Sequence, residues 1–506
     1  MRNRIAGGKD LQSCSLGLLS RVVPPFPVVH VLGPVIVLLG LSMLVPLAVA
    51  HLFVDATRIA YDEAAAFTIV TGGLLWWATR RYRGDLRVNH GYLLVALIWT
   101  VLPAFATLPL LLQLRELSFT DAYFEAVSGL TASGATVLSG LDRLPPSLNL
   151  WRGFMIWLGG MGVIVLAVAI MPLLGVGGSQ LFKAETPTPM KDTKLTPRIA
   201  ETAKGLWLVY FGLTVACGFA YYWAGMSWLD ALMHAFTTLG LGGFSTHDES
   251  YAYWSSPRIE AVAIVFMLIA AINFATHFLA WHRRSLGVYR VDPEAKVFLG
   301  VVAASVLGIA TYLVWAQVYP DFGSALRYAA FNVVSIATTT GYANADFNQW
   351  PIFAPLWMLF LCSFASCSGS TGSGMKMIRA QILFKQIFRE LLRIIHPRVT
   401  NPVKLGGQLV ENNVVFAVLA YVFVYVSCII LFTLLLTLSG ADVVTAFSAA
   451  VVSLNNTGPG LAQVGPASNY AVLNDFQTWV CSFGMLLGRL ELFTLLVVLT
   501  PAFWRK

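Results

Sequence analysis

Ten apolar stretches constrain this chain more than any other feature of its sequence. Most reach the roughly 20 residues that a helix needs to cross the hydrocarbon layer of a membrane. Unpaired backbone groups are too costly in lipid for any spanning structure except helices or a closed barrel, and the continuity of these stretches excludes the alternating strands of a barrel. The sequence therefore predicts an all-α polytopic membrane protein. The predicted spans are 31–53, 63–80, 91–113, 153–174, 205–225, 258–281, 296–318, 352–375, 411–438 and 474–500.

Composition and charge agree with a membrane protein and exclude nucleic-acid binding. Hydrophobic residues make up 57% of the 506 positions and charged residues 11%. The net charge of +8 is concentrated in connections that follow even-numbered spans, which the positive-inside rule assigns to the cytoplasm together with both termini. The opposite connections are comparatively acidic and would attract a cation. The basic clusters are Arg80, Arg81, Arg83 and Arg87; Arg283, Arg284 and Arg290; and Lys376 to Arg398.

Between some of these spans lie four short amphipathic segments that end in glycine and small polar residues. Each is predicted to be a helix that enters the membrane and a loop that returns to the same side. They read FTDAYFEAVSGLTASGATVLSG (119–140), WLDALMHAFTTLGLGGFSTHD (228–248), FGSALRYAAFNVVSIATTTGYANADF (322–347) and DVVTAFSAAVVSLNNTGPGLAQVG (442–465). Alignment on the last glycine gives the triplets Ala132-Ser133-Gly134, Leu241-Gly242-Gly243, Thr339-Thr340-Gly341 and Asn456-Thr457-Gly458.

The order of segments predicts an internal repeat. Each unit holds a span, a re-entrant pore helix with its filter loop, and a second span, so successive units insert in the same orientation. Four parallel pseudo-repeats would surround one central pore, preceded by two extra transmembrane helices. Non-helical backbone at membrane depth needs protein or water to satisfy it, so four returns imply a shared aqueous path. The predicted regions are 1–88, 89–204, 205–290, 291–405 and 406–506.

The four triplets fit a binding site for potassium. Rings of neutral backbone carbonyls can replace the hydration shell of this ion without holding it too tightly. Glycine suits such a loop because it adopts positive φ without a steric clash. A single glycine would more often mark a turn or a helix contact, but four in register favour a selectivity filter built from the carbonyls of the twelve triplet residues.

A glycine- and serine-rich break, SCSGSTGSGMK (366–376), interrupts the second span of the third unit. We interpret it as a flexible intramembrane gate below the filter; the alternative is a helix kink packed against a neighbour. A phosphate-binding loop is excluded because no lysine directly follows Gly374 and no strand precedes the segment. The predicted gate residues are Gly369, Ser370, Thr371, Gly372 and Gly374.

Arg489 lies inside the last apolar stretch, where an unpaired charge is costly. It is predicted to face the path below the filter as a positive barrier. The alternative is an arginine that snorkels to the membrane surface or ties down a carbonyl group. Glu491, two positions away, is predicted to project from another face of the same helix.

Six motifs identify the chain as similar to the Trk/Ktr/HKT superfamily of potassium transporters, and most similar to its bacterial Trk membrane subunits. The resemblance covers nearly the whole chain, and the two extra spans before the first unit favour the Trk type. It implies gating beneath the filter, and Gly134 favours potassium because family branches with serine there pass sodium. The motifs are SGAT (133–136), GGFSTHD (242–248), TTTGYANADF (338–347), NNTGPGL (455–461), MKDTKLTPRIAETAK (190–204) and GRLELFT (488–494).

The resemblance also implies the setting in which the chain works. It implies a homodimer with one pore per subunit, in the cytoplasmic (inner) membrane of a bacterium and in contact with membrane lipid. A cytoplasmic nucleotide-binding regulatory subunit would be the partner, and the basic connection 175–204 is one docking candidate, with lipid headgroups as the alternative. Its basic residues are Lys183, Lys191, Lys194, Arg198 and Lys204.

The sequence thus favours potassium uptake, with potassium as the substrate and no bound cofactor. The alternative is a secondary transporter that couples potassium to protons or sodium, which would need an acidic residue within a span, and most Asp and Glu residues lie in the connections. An enzyme is not predicted, because the spans lack clustered His, Asp or Glu ligands.

Overall fold

The computed structural model describes residues 26–82, 88–169 and 199–504. Most of the basic connection predicted to dock a partner, including Lys183, Lys191, Lys194 and Arg198, lies outside the described residues, as do Arg83 and Arg87. The described part is mostly helical and contains one two-stranded antiparallel hairpin, β1 (Lys404–Leu405) with β2 (Gln408–Leu409).

The helices of the first half of the described chain are α1 (Phe26–Ser42), α2 (Leu44–Phe53), α3 (Arg58–Ala78), α4 (Val88–Ala106), α5 (Leu108–Gln113), α6 (Phe119–Leu130), α7 (Pro146–Ala169), α8 (Ile199–Ala224), α9 (Trp228–Gly240) and α10 (Pro257–Ala270). The later helices are α11 (Phe274–Arg283), α12 (Gly287–Val291), α13 (Pro293–Trp315), α14 (Phe322–Ala337), α15 (Phe353–Phe364), α16 (Met377–Ile395), α17 (Asn412–Leu438), α18 (Val443–Asn455), α19 (Asp475–Arg489), α20 (Phe493–Leu499) and α21 (Pro501–Trp504).

Several of these helices could span a membrane. In the described part, five helical stretches are long and apolar enough, and two strongly bent helix pairs would raise the number to seven. The bends correct the prediction of continuous helices for two of the ten spans. The predicted span 258–281 is broken between α10 and α11 by 93°, and 474–500 is broken between α19 and α20 by 115°. The predicted span 352–375 ends as a helix at Phe364.

The first bend is held by hydrogen bonds that replace those lost from the helix. The Asn273 side chain accepts the N–H of Ala275 at 2.8 Å and so caps α11. The Ala271 carbonyl accepts the Cys367 N–H at 3.1 Å, and the Phe274 N–H donates to the Gly369 carbonyl at 3.0 Å. The bend therefore forms where the glycine-rich segment 365–376 packs against it.

At the second bend the predicted helix ends at Arg489. Glu491 and Leu492 follow with positive φ of 55° and 43°. The prediction that Glu491 projects from another face of the same helix is wrong, because Glu491 does not belong to a helix. Its carboxylate instead accepts a hydrogen bond from Arg379 at 2.9 Å.

The four short helices form where the sequence predicts them, as α6, α9, α14 and α18. Each begins with a side chain that accepts a backbone N–H of the first turn, which satisfies a donor that the helix itself cannot pair. These capping residues are Ser118, Ser227, Asp321 and Asp442. Four capped helices of similar length therefore carry the four predicted triplets at their C-terminal ends.

Candidate functional site

All four short helices end in the same hydrogen-bond pattern. The N–H of the second triplet residue bonds to the carbonyl five residues earlier, as in a Schellman motif. The N···O distances of these hydrogen bonds are 2.8 Å for Ser133, 3.0 Å for Gly242, 2.8 Å for Thr340 and 3.0 Å for Thr457. The first residue of each triplet is left-handed: Ala132, Leu241, Thr339 and Asn456 have φ of 54°, 52°, 60° and 49°. The four triplets are thus in equivalent register.

The last residues of the triplets are not all alike. Gly134, Gly341 and Gly458 have positive φ of 81°, 91° and 96°, as the sequence predicts for a glycine-dependent loop. Gly243 is not left-handed and is glycine for a different reason. A Cβ atom there would lie 2.7 Å from the Thr340 carbonyl oxygen.

The four triplets, here called the glycine ring, contact one another in a closed cycle. A Cβ added to Gly134 would lie 2.2 Å from the Gly243 nitrogen, and one on Gly243 would lie 2.7 Å from the Gly341 carbonyl carbon. A Cβ on Gly341 would lie 2.1 Å from the Thr457 oxygen, and one on Gly458 would lie 2.9 Å from the Ser133 oxygen. Since real Cβ atoms do not approach this closely, the backbones meet only because these residues are glycine. One cavity borders all four glycines.

The second triplet packs tightly, although its glycine-rich sequence suggests a loose loop. A Cβ on Gly240 would lie 2.9 Å from the Ile156 carbonyl oxygen, and one on Gly242 would lie 2.9 Å from the Ile156 side chain. The extra glycines therefore allow α7 to approach the ring closely.

The ring offers neutral oxygen atoms. The Ser133 and Thr457 hydroxyls and the Asn456 amide are buried and make no hydrogen bond within the described part of the chain. The Gly458 carbonyl differs from its counterparts because it accepts the Tyr470 hydroxyl at 2.8 Å. No group of three or more His, Cys, Asp or Glu side chains that could hold a metal ion was found among the described residues. Neutral oxygens suit a weakly held monovalent cation.

The gate segment, predicted as residues 366–376, is part of a non-helical stretch, residues 365–376, that lies against the ring. The Ser373 N–H donates to the Thr339 hydroxyl at 3.1 Å, and a Cβ on Gly372 would lie 3.3 Å from the Thr338 carbonyl. The segment turns at Gly369 and Gly374, which have φ of 69° and 87°. It is therefore a twelve-residue excursion between α15 and α16, longer than a helix kink.

Two other predicted gate residues fasten the segment internally and to its neighbours. The Thr371 hydroxyl donates to the Leu239 carbonyl at 2.9 Å, at the end of α9. The Ser370 hydroxyl donates to the Cys367 carbonyl at 2.6 Å. Both side chains are buried. Four of the five predicted gate residues are therefore buried, and Gly369 is exposed.

Arg489 is buried and clamps this segment. Its guanidinium donates to the Thr371 carbonyl at 2.9 Å, the Ser373 hydroxyl at 3.2 Å and the Gly159 carbonyl at 2.8 Å. It does not snorkel to the surface. The alternative that it ties down carbonyls describes two of its three contacts. Thr371 and Ser373 lie on the segment that contacts the ring, and Gly159 lies in α7.

Sequence reasoning missed Glu294, which joins the first part of the segment 365–376 to the first turn of α16. This carboxylate is 1% exposed, and its Oε1 accepts the Ser368 N–H at 3.1 Å and the Ile378 N–H at 2.9 Å. In the sequence it follows Asp292-Pro293 at the start of a span, where an acidic residue is typical of an ordinary helix N-terminus. Nothing in the local sequence distinguishes it.

His247 links two loops beside the ring. Its Nδ1 is hydrogen-bonded to Asp142, and its Nε2 lies 3.8 Å from Asp230. Burial alone would lower the pKa of His247, but the hydrogen bond to Asp142 and the negative charges of both carboxylates outweigh it and raise the pKa above 6.5.

We therefore expect protonated His247 to stabilise the folded protein. Because its folded-state pKa is raised, this contribution is complete below the ordinary pKa and is lost as the pH rises through the raised value. The melting temperature of the purified protein should fall by about 2 °C between about pH 6 and about pH 9, and the His247→Gln variant should lose this part of the dependence. A matched change at the exposed His282 should keep it. Equal pH dependence in the wild type and His247→Gln would contradict the interpretation.

Comparisons with known proteins agree with this architecture. The TrkH family model, described as a cation transport protein, matches residues 59–506. The Trk system potassium uptake protein TrkH of Salmonella typhimurium is 44% identical over 95% of this chain and 99% of its own length. The TrkH protein of Halomonas elongata is 45% identical over the same shares.

A solved structure matches over nearly the full length. The crystal structure of the potassium transporter TrkH from Vibrio parahaemolyticus superposes with a TM-score of 0.88 at 40% identity, covering 96% of this chain and all of that one. These relatives are named as transporters and not as enzymes, which confirms the predicted class. The chain is a multi-pass membrane protein and belongs to the TrkH family of cation transport proteins.

Proposed function

We propose that this protein takes up potassium ions through the glycine ring, which acts as a selectivity filter of backbone carbonyls. The observation that carries the proposal is the closed cycle of contacts among the four triplets, each at the end of a capped short helix. The helix ends add a modest negative potential where a cation would lie. The proposed architecture is four parallel pseudo-repeats around one pore, preceded by two extra spans. The relatives' names as potassium uptake proteins support this function.

The segment 365–376 is the proposed gate. Its contacts with Thr339 and the carbonyl of Leu239 support a position across the ion path, where it blocks passage until it moves. Arg489 holds the closed arrangement and opposes cations with its charge. Glu294, which joins Ser368 in the segment to Ile378 in α16, is the fixed point about which the segment moves.

The proposed setting is a homodimer in the bacterial inner membrane, with both termini in the cytoplasm. A nucleotide-binding regulatory subunit of a Trk-type system would displace the gate from the cytoplasmic side. The Trk system names of the relatives support a multi-subunit system. The exposed apolar face of α16, directly after the gate, offers a route for transmitting such a displacement; its exposed side chains include Phe384, Ile387, Phe388, Leu391 and Ile394.

Coupled transport is the second candidate function. Buried carboxylates are what a proton-coupled transporter would need, and the structure contains them in Glu125 and Glu294, each within or beside a span. Both accept hydrogen bonds from backbone N–H groups, Glu125 from Val137 and Glu294 from Ser368, so each carboxylate is held in a fixed position.

Reconstituted proteoliposomes test both candidates. We expect expression of the protein to restore growth at low potassium to a strain that lacks its own uptake systems. In proteoliposomes, rubidium should enter down its own gradient and sodium should enter much more slowly, with no requirement for a proton gradient. Rubidium entry that depends strictly on a proton gradient would favour coupled transport, and equal entry of sodium and rubidium would contradict the selective filter.

A further inference from the structure

A buried ion pair lies directly behind the first two segments of the glycine ring. Glu125 belongs to α6 and Arg152 to α7, and Arg152 Nε lies 2.8 Å from Glu125 Oε1. Both side chains are fully buried. Removing two charges from water is costly unless each is paired and hydrogen-bonded on its remaining sides. Their other partners show what the pair holds in place.

Glu125 holds the first return, residues 135–138, which follows Gly134. The Thr136 hydroxyl lies 3.0 Å from each of the two carboxylate oxygens, and the Val137 N–H donates to Oε2 at 3.1 Å. The carboxylate on the short helix therefore fixes the backbone two and three residues beyond Gly134.

Arg152 joins the first return to the second return, residues 244–246, which follows Gly243. Its Nη1 donates to the Ser245 carbonyl at 3.1 Å and to the Asn149 side chain at 3.2 Å, and its Nη2 lies 3.2 Å from the Thr136 hydroxyl. The guanidinium carbon is 4.3 Å from the centre of the Phe244 ring. The planar fork of arginine can make these contacts together, which the point charge of lysine cannot.

The same position in the second and third short helices performs a related task, whereas the fourth helix has an alanine there. Nine residues before each ring glycine stand Glu125, His234, Asn332 and Ala449. His234 Nε2 lies 3.1 Å from the Ser245 hydroxyl, and the Asn332 amide donates to the Asn344 side chain at 2.6 Å. Each of these contacts joins a short helix to the return that follows the glycine of the same unit. In the first unit, the Glu125–Arg152 ion pair makes this connection.

We propose that Glu125 and Arg152 are positioning residues that set the discrimination between potassium and sodium, an inference that rests on the proposed function. A ring of carbonyls must contract to coordinate the smaller sodium ion. Contraction at the first and second triplets would displace the returns and lengthen hydrogen bonds to a buried charge, which are roughly twice as strong as neutral ones. The pair therefore resists the arrangement that sodium needs, and neither side chain touches the ion.

Two variants test the pair through the ratio of rubidium to sodium uptake rates in proteoliposomes. Glu125→Gln keeps the shape of the side chain but removes its charge and leaves Arg152 uncompensated. The ratio should fall about tenfold, which corresponds to ~1.4 kcal/mol of lost discrimination. Thr136→Val keeps the ion pair and removes its hydroxyl link to the first return, together with the hydrogen bond that this hydroxyl accepts from the Leu138 N–H. The ratio should fall in the same direction. This second variant decides the question if Glu125→Gln does not fold.

Glu260→Gln is the matched control. It breaks the Glu–Arg pair between α10 and the short helix α14, in which Arg327 Nη2 lies 2.6 Å from Glu260 Oε1. The hydrogen bonds of this carboxylate within the described part of the chain go to Arg327 and not to the two returns. It should lower the melting temperature and leave the ratio unchanged. An unchanged ratio in a folded Thr136→Val variant, or an equal fall in Glu260→Gln, would overturn the inference. A wild-type protein that takes up no rubidium would contradict the proposed function instead.

Discussion

Replacing Gly341 by alanine should reduce rubidium uptake by about a hundredfold, which corresponds to ~2.7 kcal/mol. The new Cβ would lie 2.1 Å from the Thr457 carbonyl oxygen, at a φ of 91° that side chains rarely adopt. Both the collision and the backbone strain would move the third and fourth triplets apart. The measurement is initial rubidium uptake by proteoliposomes that contain equal amounts of protein.

Gly225→Ala separates the collision from the strain. Gly225 also has positive φ, 114°, but a Cβ there would meet nothing within 4 Å. Its replacement should cost ~1–2 kcal/mol of stability and leave rubidium uptake near the wild-type rate. Normal uptake by a folded Gly341→Ala variant would contradict the role given to the ring.

Replacing Arg489 by alanine should raise rubidium flux in the absence of any partner. The change removes a buried charge and three hydrogen bonds, two of them to the segment 365–376. Lowering the barrier by ~1.4 kcal/mol would speed passage about tenfold. The measurement is rubidium efflux from proteoliposomes under an outward gradient.

Arg489→Lys distinguishes the two contributions of this residue. Lysine keeps the positive charge but lacks the fork that reaches both Thr371 and Gly159. Low flux in the lysine variant would assign the barrier to charge, and high flux would assign it to the clamp. Unchanged flux in the alanine variant would contradict both roles.

Local sequence signals predicted the parts of this fold that are built locally. The four short helices carry their own capping residues and end at small or glycine residues, so their positions and register could be predicted. The broken spans could not. The bends at 271–273 and 490–492 contain no glycine or proline, and at the first the helical hydrogen bonds are replaced by bonds to the segment 365–376, which is distant in sequence.

In the candidate site, too, features set by local sequence were predicted and features set by distant contacts were not. The triplets and the gate segment were predicted from glycine spacing, and their functional roles stay predictions. The left-handed conformations at Ala132 and Leu241 were not anticipated, because non-glycine residues rarely adopt them outside such helix ends. The partners of Glu125 and Glu294 were also missed. Three of the four residues that stand nine positions before a ring glycine are polar, and this pattern was a sequence signal for Glu125. No sequence signal of this kind marks Glu294.

Rubidium anomalous diffraction from crystals of this protein would test the central claim most directly. Rubidium substitutes for potassium and scatters anomalously, so its position can be read without assuming a pathway. We expect peaks on the axis of the glycine ring, within coordination distance of carbonyl oxygens from all four triplets. Peaks confined to a site beside Glu294 or Glu125, with none in the ring, would contradict the assignment of the ring as the potassium filter.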